Sequence, residues 1–331
     1  MEEALAVDVL ISEVGPRDGL QSVKSVMPTE RKQQWISALA AAGLKEIEVG
    51  SFVSAKALPQ MADCAAVVAH ALTIPNLRVA VLVPNLRYAE MAFAAGAHMI
   101  TIPVSVSEPH SISNIRKNHA EIIADVRAIV KLRNELYPKT EIEGGLATAF
   151  GCTIQGVVPE ADTVRMAVTL AECGVHTIGL ADTVGVANPA QVRRVFKSVR
   201  GAVGNKCNSA HLHNTRGQGL ANVVAALDVD IRVFDSSQGG IGGCPYAPGA
   251  TGNIVTEDLV FLLEAMGLRT GIDIGRLLEA RKVLAQGLPA ETLYGYLPDA
   301  GLPKGFVPAS SDASSGGVRD ASPQRPEVRM Q

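Results

Sequence analysis

The sequence predicts a (β/α)₈ TIM barrel with a helical extension at its C-terminus. Short β-branched runs alternate with alanine-rich stretches of helical period along most of the 331-residue chain. This alternation is typical of parallel βα units. The runs number eight and recur about every 30 residues, as in a closed barrel. A doubly wound open sheet gives the same alternation, but no GxGxxG pattern opens the first helix.

The predicted elements follow one another from the N-terminal region to about residue 235. The strands are assigned to Val7–Val14, Glu46–Val49, Arg78–Val83, Met99–Val104, Thr140–Thr148, His176–Ala181, Ser209–His213 and Ile231–Asp235. Helical periodicity predicts helices at Thr29–Ala42, Asp63–Leu72, Tyr88–Ala95, Glu121–Leu136, Ala161–Cys173, Ala190–Val203 and Gly217–Asp228. We expect the barrel to occupy residues 1–270 and the helical extension residues 271–305. Residues 306–331 are rich in Ser, Asp, Gly, Pro and Arg, and we expect a disordered tail there.

The composition argues against several classes of partner and site. Lysine and arginine number 30 and aspartate and glutamate 33, without a basic run of the kind that binds nucleic acid or a membrane surface. No apolar run approaches the ~20 residues that span a bilayer, and the acidic N-terminus lacks the apolar core of a secretory signal. The 5 cysteines are scattered without CxxC spacing. Neither a disulfide framework nor a thiolate zinc site is expected, which favours a cytoplasmic protein.

Reactive side chains fall at the C-terminal ends of the predicted strands, where barrel enzymes place their active sites. A glycine-rich segment, residues 236–253, follows the eighth strand. The reactive residues at the strand ends are Arg17, Asp18, Glu48, Asp182, His211 and His213.

The His211-Leu212-His213 pattern predicts a metal site. Residues two apart on a strand project to the same face, about 6–7 Å apart along the chain, so both imidazoles can chelate one ion. Two unrelated histidines are the alternative, and the charged residues on neighbouring strands favour the metal. Imidazole nitrogens combined with carboxylate and amide oxygens indicate Mg²⁺ or Mn²⁺.

Asp18 is a candidate carboxylate ligand within Gly15-Pro16-Arg17-Asp18-Gly19, where the flanking glycines allow a tight turn. An Asx-turn aspartate is the structural alternative. The adjacent Arg17 is a permanent cation that can stabilise an enolate or bind a carboxylate, and a surface arginine is its alternative.

The glycine-rich segment predicts a mobile loop with Cys244 near its tip. A thiol in that position can transfer a proton. A phosphate-cradling loop is the alternative, but no GK[ST] follows. Asn253 ends the segment and can supply an amide oxygen to a metal.

Several long motifs, in order, resemble the 3-hydroxy-3-methylglutaryl-CoA lyase family, within the metal-dependent TIM-barrel lyases and Claisen-type condensing enzymes. The resemblance runs from about Val7 to about Gln286. The motifs are SEVGPRDGLQ (Ser12–Gln21), EVGSFVS (Glu48–Ser54), PQM (Pro59–Met61), PNL (Pro84–Leu86), ADTVGVANP (Ala181–Pro189), HLHNTRGQGLAN (His211–Asn222) and GGIGGCPYAPGATGN (Gly239–Asn253).

The resemblance implies a role for each matching residue. The implied metal ligands are Asp18, His211, His213 and Asn253. The implied catalytic residues are Arg17, Asp18, Glu48, His211 and Cys244, with Arg17 stabilising an enolate and Cys244 as the loop acid or base. The implied substrate-binding residues are Arg17, Gln21 and Asp182.

The resemblance also implies a reaction and partners. The expected reaction is a retro-Claisen cleavage of 3-hydroxy-3-methylglutaryl-CoA, an acyl-CoA thioester, to acetyl-CoA and acetoacetate, as in leucine degradation. The expected assembly is a homo-oligomer, either a dimer or a tetramer. The motif RDGLQ, in place of the RDGEQ of condensing enzymes, and the loop cysteine both favour a lyase.

Some positions depart from the family pattern. Gly145 and Thr148 stand on the fifth strand where the family has a tyrosine and a cysteine, and Asn214 and Arg216 alter the motif after the seventh. These changes leave open a lyase for a different 3-hydroxy-3-methyl-acyl-CoA. A Claisen-type acyltransferase would use the same barrel and metal, and a non-enzymatic binding protein would keep the barrel alone.

Overall fold

Eight parallel strands form a closed barrel in which each strand pairs with the next and β8 pairs with β1. A computed structural model describes residues 7–242 and 252–314. The strands are β1 (Leu10–Glu13), β2 (Glu46–Ser51), β3 (Arg78–Leu82), β4 (Met99–Ser105), β5 (Glu141–Ala147), β6 (Thr177–Asp182), β7 (Cys207–Leu212) and β8 (Val233–Ser236). The predicted (β/α)₈ fold is therefore confirmed, with boundaries shifted by a few residues.

Helices follow the strands and cover the outside of the barrel. They are α1 (Leu20–Ser22), α2 (Thr29–Ala41), α3 (Cys64–Ala71), α4 (Leu86–Ala94), α5 (Glu108–Ile115), α6 (His119–Leu136), α7 (Glu160–Cys173), α8 (Pro189–Val203), α9 (Gly219–Leu227), α10 (Thr256–Ala265), α11 (Ile274–Gly287) and α12 (Leu297–Ala300). Among the described ranges, no helix has both the length and the apolar character needed to cross a membrane.

Local sequence sets several helix ends. Asn118 begins α6 with a reciprocal capping box, in which its side chain accepts from the Glu121 backbone and Glu121 accepts from the Asn118 backbone. Pro189 starts α8 behind an Asn188 cap, since a proline in the first turn loses no helical hydrogen bond. Gly174 ends α7 in the left-handed conformation with φ 94°. Gly174 thereby ends α7 shortly before β6 begins.

Apolar side chains between the strands and the helices form the main core. Trp35 and Leu39 of α2, Phe196 of α8 and Phe234 of β8 are each fully buried. Burial of such side chains is the dominant favourable contribution to folding. Inside the barrel the pattern differs, because β5 alternates buried residues with partly accessible Glu143, Gly145 and Ala147. The interior is therefore partly polar, and this is where the candidate site lies.

Residues Gly15–Gly19 form a π-helical turn directly after β1. The predicted tight turn is present, but neither glycine in it has positive φ, so glycine flexibility is not its cause. Close packing requires glycine at both positions. A Cβ on Gly15 would lie 2.5 Å from Glu13 Oε1, and one on Gly19 would lie 2.6 Å from Ile241 Cγ1. The glycines let the turn that carries Arg17 and Asp18 pack against its neighbours.

The helical extension packs back onto the barrel. Helix α11 lies against α2, and Gln238 Nε2 donates to the Leu277 backbone oxygen at 2.7 Å. Beyond it, the Phe306 ring lies 5.1 Å from the Phe261 ring of α10, and Ser310 Oγ donates to Glu264 at 2.5 Å. Packing against α10 thus continues past residue 306, the expected start of the tail.

Candidate functional site

Three side chains at the C-terminal mouth of the barrel form a group that can hold a metal ion. The ligand atoms of Asp18, His211 and His213 all lie within 4.8 Å of one another. The Nε2 atoms of His211 and His213 are 3.1 Å apart, and His211 Nε2 is 3.9 Å from Asp18 Oδ2. These are three of the four predicted ligands, and the fourth, Asn253, contacts Asp18.

The protonation states of two members of this group, Asp18 and His213, suit a cation. Burial opposes ionisation of Asp18, but the charges of Arg17, His211 and His213 outweigh it and lower its pKa to about 2. Burial and the charge of His211 lower the pKa of His213 to about 4, which leaves that imidazole neutral at pH 7. A carboxylate and a neutral imidazole both present lone pairs, as metal ligands must.

Asp235 of β8 orients His211, and sequence reasoning missed this. His211 Nδ1 lies 2.9 Å from Asp235 Oδ2, and the two residues are register partners in the sheet. With the proton on Nδ1, the His211 Nε2 lone pair faces the other ligands, an arrangement common at metal sites. The sequence signal for this contact was Asp235 itself, a carboxylate at the end of the eighth predicted strand.

Asn253 supplies the test of whether the group fits a metal. Its backbone bridges to that of His213, and its Nδ2 donates to Asp18 Oδ2 at 2.6 Å. Its buried Oδ1 has no hydrogen-bond partner among the described residues. A half-turn of the amide exchanges the two atoms, which would present the unpaired oxygen to the Asp18 side of the site. The donor set of one carboxylate, two imidazoles and one amide oxygen fits a divalent cation.

Arg17 lies beside this group at the mouth of the barrel, held between two carboxylates. Its Nε donates to Glu48 Oε2 in a short contact, and its Nη1 donates to Asp18 Oδ1 at 2.6 Å. Burial raises the pKa of Glu48, against the lowering effect of the Arg17 charge. Glu48 Oε1 is buried without a hydrogen-bond partner in the described chain. The two contacts fix the edge of the guanidinium that carries Nε and Nη1, and the remaining N–H donors are left for a ligand.

A cavity of about 870 Å³ opens at this end of the barrel, within the size range of small-molecule sites. Arg17, Asp18, Gln21, His211 and His213 all line it. Gln21 was implied only by the family motif, and its place on the cavity wall is consistent with a role in substrate binding.

Asp182, which the family motif implied as a substrate-binding residue, contacts the protein backbone and not the cavity. Its Oδ1 accepts from the Val186 backbone at 2.9 Å and its Oδ2 from the Ala187 backbone at 3.1 Å. It is 1% exposed and is not among the residues that line the cavity. In the structure, its contacts hold the turn between β6 and α8. Arg216 is similar, since it donates to the carbonyls of Val184 and Gly185 in that turn.

Cys244, the predicted loop acid, lies outside the described residues. The described neighbours on either side of the loop lie at the site: Gly242 lines the cavity, and Asn253 contacts Asp18. Its role as proton donor stays a prediction.

Glu13 connects the strands that carry the site. Its Oε1 accepts from the backbone of Gly15 and of Gln238, each at 2.9 Å, and its Oε2 accepts from Thr256 Oγ1 at 2.6 Å. Glu13 is fully buried. One carboxyl group therefore joins the end of β1, the start of the loop after β8 and the segment that follows Asn253.

The fold and the site define a TIM-barrel protein with a candidate divalent-metal centre at the C-terminal ends of its strands. The chain belongs to the HMGL-like family, whose model matches residues 8–284.

Curated relatives cover most of the chain. It is 38% identical over 284 residues to the cytoplasmic 3-hydroxy-3-methylglutaryl-CoA lyase of Rattus norvegicus, covering 86% of this chain and 82% of the relative. It is 40% identical over 276 residues to a hydroxymethylglutaryl-CoA lyase of Bacillus subtilis, covering 83% and 91%. The resemblance drawn from the motifs is thereby confirmed.

Solved structures agree with the fold. The hydroxymethylglutaryl-CoA lyase from Pseudomonas aeruginosa matches with a TM-score of 0.84 at 35% identity, covering 89% of this chain and 98% of that one. An HMG-CoA lyase from Acinetobacter baumannii, in complex with coenzyme A and 3-methylmalate, matches with a TM-score of 0.85 at 38% identity, covering 92% and 99%.

Proposed function

We propose that this chain is a divalent-metal-dependent carbon–carbon lyase that cleaves 3-hydroxy-3-methylglutaryl-CoA to acetyl-CoA and acetoacetate. The observation that carries the proposal is the grouping of Asp18, His211 and His213 within 4.8 Å, with Arg17 beside it, in one cavity at the barrel mouth. Relatives named as lyases for this substrate, and one solved with coenzyme A, support the choice of an acyl-CoA thioester.

Asp18, His211, His213 and Asn253 would hold Mg²⁺ or Mn²⁺. A bound cation supplies positive charge that lowers the cost of negative charge on the substrate's hydroxyl and thioester oxygens. Asp235 fixes the tautomer of His211 through the 2.9 Å contact at Nδ1. The remaining steps fall to side chains of this chain.

Arg17 stabilises the enolate of acetyl-CoA as the C2–C3 bond breaks. A buried guanidinium aimed at a developing oxyanion is most effective when it does not have to reorient during the reaction. Glu48 provides that rigidity by holding Nε. Cys244 delivers the proton that converts the enolate to acetyl-CoA. We assign substrate binding to Arg17 and Gln21, and a positioning role to Asp182 through the turn that it holds.

The proposal extends to the setting of the enzyme. We propose a cytoplasmic homo-oligomer that acts in leucine degradation. The relatives named for this activity include both cytoplasmic and mitochondrial proteins, and the scattered cysteines of this chain are compatible with a reducing compartment.

Incubation of the purified protein with 3-hydroxy-3-methylglutaryl-CoA and Mg²⁺ or Mn²⁺ tests the activity. We expect acetyl-CoA and acetoacetate in equal amounts, identified by mass spectrometry. Release of free CoA from acetyl-CoA and a 2-oxo acid would instead identify a Claisen-type acyltransferase. Absence of both products with either metal would refute the proposed function.

A further inference from the structure

The cavity continues below the candidate metal ligands into the barrel. Ser209 precedes His211 by two residues on β7, so its side chain lies on the same face roughly 6–7 Å deeper. Its hydroxyl donates to Oε1 of Glu143, which comes from β5. Both side chains line the same cavity as His211. We call the set Glu143, Ser209 and Gly179 the polar floor.

Glu143 differs from the other carboxyl groups inside the barrel because it has no basic partner among the described residues. Ser209 is the hydrogen-bond donor that reaches it, and no described group donates to its Oε2. The other carboxyl groups are paired: Glu46 with Arg78, Glu48 with Arg17, and Asp235 with His211. The second oxygen of Glu143 is therefore free to pair with a polar group of a ligand in the cavity.

Glycines make the space that the polar floor needs. A Cβ on Gly179 would lie 2.5 Å from Glu143 Oε1 and 2.6 Å from Ser209 Oγ, so only glycine lets the two side chains meet there. Gly145 is the register partner of Gly179 on β5 and also lines the cavity, with Ala147 and Ala181 above. Four small residues therefore leave a channel from the metal ligands down to Glu143.

A methyl group does not fill this channel. One carbon–carbon bond reaches about 1.5 Å, whereas the floor lies roughly 6–7 Å below His211. A long alkyl branch would reach the floor but would bury the Glu143 carboxyl group against carbon, which is unfavourable. A branch that ends in a carboxylate would lie next to Glu143, in an interior that already holds the carboxyl groups of Asp235, Glu46 and Glu48. Its negative charge would be repelled by theirs at short range.

An uncharged polar group can form a hydrogen bond with Glu143 whether that carboxyl group is protonated or ionised. Burial and then the charge of Asp235 raise the pKa of Glu143 to about 8, so at pH 7 the group is mainly a neutral acid that can donate. A hydroxyl or carboxamide both donates and accepts hydrogen bonds, and therefore pairs with the acid or with its carboxylate.

We infer that the polar floor is a specificity subsite, and that the chain accepts 3-hydroxyglutaryl-CoA thioesters whose C3 branch is extended and ends in a hydroxyl or carboxamide. This inference rests on the proposed function for the reaction itself. In that reaction the C2–C3 bond breaks and C3 becomes the carbonyl carbon of a ketone. The C3 hydroxyl loses one proton, and C2 of acetyl-CoA gains one. The branch leaves with the 3-oxo acid.

The test compares four thioesters with the purified enzyme and Mg²⁺ or Mn²⁺. They carry methyl, 3-hydroxypropyl, butyl or 2-carboxyethyl at C3 of 3-hydroxyglutaryl-CoA. Hydroxypropyl and butyl have the same number of heavy atoms, so their ratio of kcat/KM isolates the hydrogen bond. We expect hydroxypropyl to exceed butyl by ~10-fold or more, since a site built to bind a hydroxyl discriminates strongly against its absence.

Two variants assign the preference to the floor. In Glu143→Leu the hydroxypropyl-to-butyl ratio should fall at least tenfold, whereas Glu143→Gln, which keeps a donor and an acceptor, should retain most of it. Glu141→Gln is the matched control, since Glu141 lies two residues earlier on β5 and pairs with Arg78. The ratio is measured within one preparation, so a loss of folded protein does not change it.

The outcomes separate this inference from the proposed function. Cleavage of the methyl thioester alone, a ratio of one or less, a preference for carboxyethyl, or a ratio unchanged in Glu143→Leu would each overturn the subsite and leave the lyase standing. Cleavage of the hydroxypropyl thioester without the methyl one would support the subsite and restrict the proposed function. Cleavage of none would remove the lyase and the subsite together.

Discussion

The Nε2 atoms of His211 and His213 face each other across 3.1 Å. Two lone pairs at that separation repel unless a proton or a cation lies between them. Mg²⁺ or Mn²⁺ should therefore raise the melting temperature, because a ligand that binds only the folded state stabilises it. EDTA should remove both this shift and turnover. Calorimetry checks the shift, with His70→Ala as a control histidine on α3; full activity in excess chelator would contradict the metal centre.

Arg17 is buried beside Glu48 and Asp18, where a cation acts strongly on nearby negative charge. Arg17→Gln should lower kcat by ~10²–10³ with a smaller rise in KM, because its proposed contact with the bound substrate strengthens as the enolate forms. Steady-state kinetics measures both constants, with the exposed Arg193→Gln on α8 as control. A rise in KM with unchanged kcat would assign Arg17 to ground-state binding instead.

Cys244→Ser should cut turnover strongly and leave the melting temperature close to that of the unmodified protein. A hydroxyl is a much weaker acid than a thiol and donates its proton less readily to an enolate. Turnover of the cleavage reaction and thermal melting together test this, with Cys173→Ser on α7 as control. Unchanged turnover would show that the loop thiol is not the proton donor.

Glu13→Gln should change how stability depends on pH. Burial raises the pKa of Glu13 to about 8 from 4.5, against the lowering effect of its hydrogen bonds. Between these values the folded state keeps a proton that the unfolded state loses. The free energy of unfolding therefore falls as pH rises through this window, by up to ~1.4 kcal/mol per pH unit from this group.

The glutamine variant lacks this titration, so its stability should decline less between pH 5 and pH 8. Urea unfolding at several pH values measures the difference, and Glu141→Gln again serves as control. Parallel pH profiles for Glu13→Gln and the unmodified protein would show that Glu13 is already ionised in the folded state.

The sequence predicted much of the fold because its local patterns agree with one another. Strand assignments such as Met99–Val104 differ from the observed β4 by a single residue. Asp18, His211 and His213 could be placed together because parallel strands end at one rim of a barrel. Strand alternation alone is sufficient for that conclusion.

The missed features depend on contacts between distant residues. Glu13 lies 225 residues from Gln238 and 243 from Thr256, and Glu143 lies 66 residues from Ser209. The strand pattern around Glu13 does not show which distant groups its carboxyl group contacts. The need for glycine at position 15 could not be predicted either, because a Cβ there would collide with the side chains of Glu13 and Trp35.

The closing pair of strands has a consequence for synthesis. Asp18 and Asn253 are separated by 235 residues, and the free edge of β1 finds its partner only in β8. A nascent chain on the ribosome can therefore pair β1 with β2 early, but the other edge of β1 stays unpaired until β8 has been translated. A product that terminates before β8 cannot close the barrel, and one that terminates before Asn253 lacks one of the four proposed metal ligands.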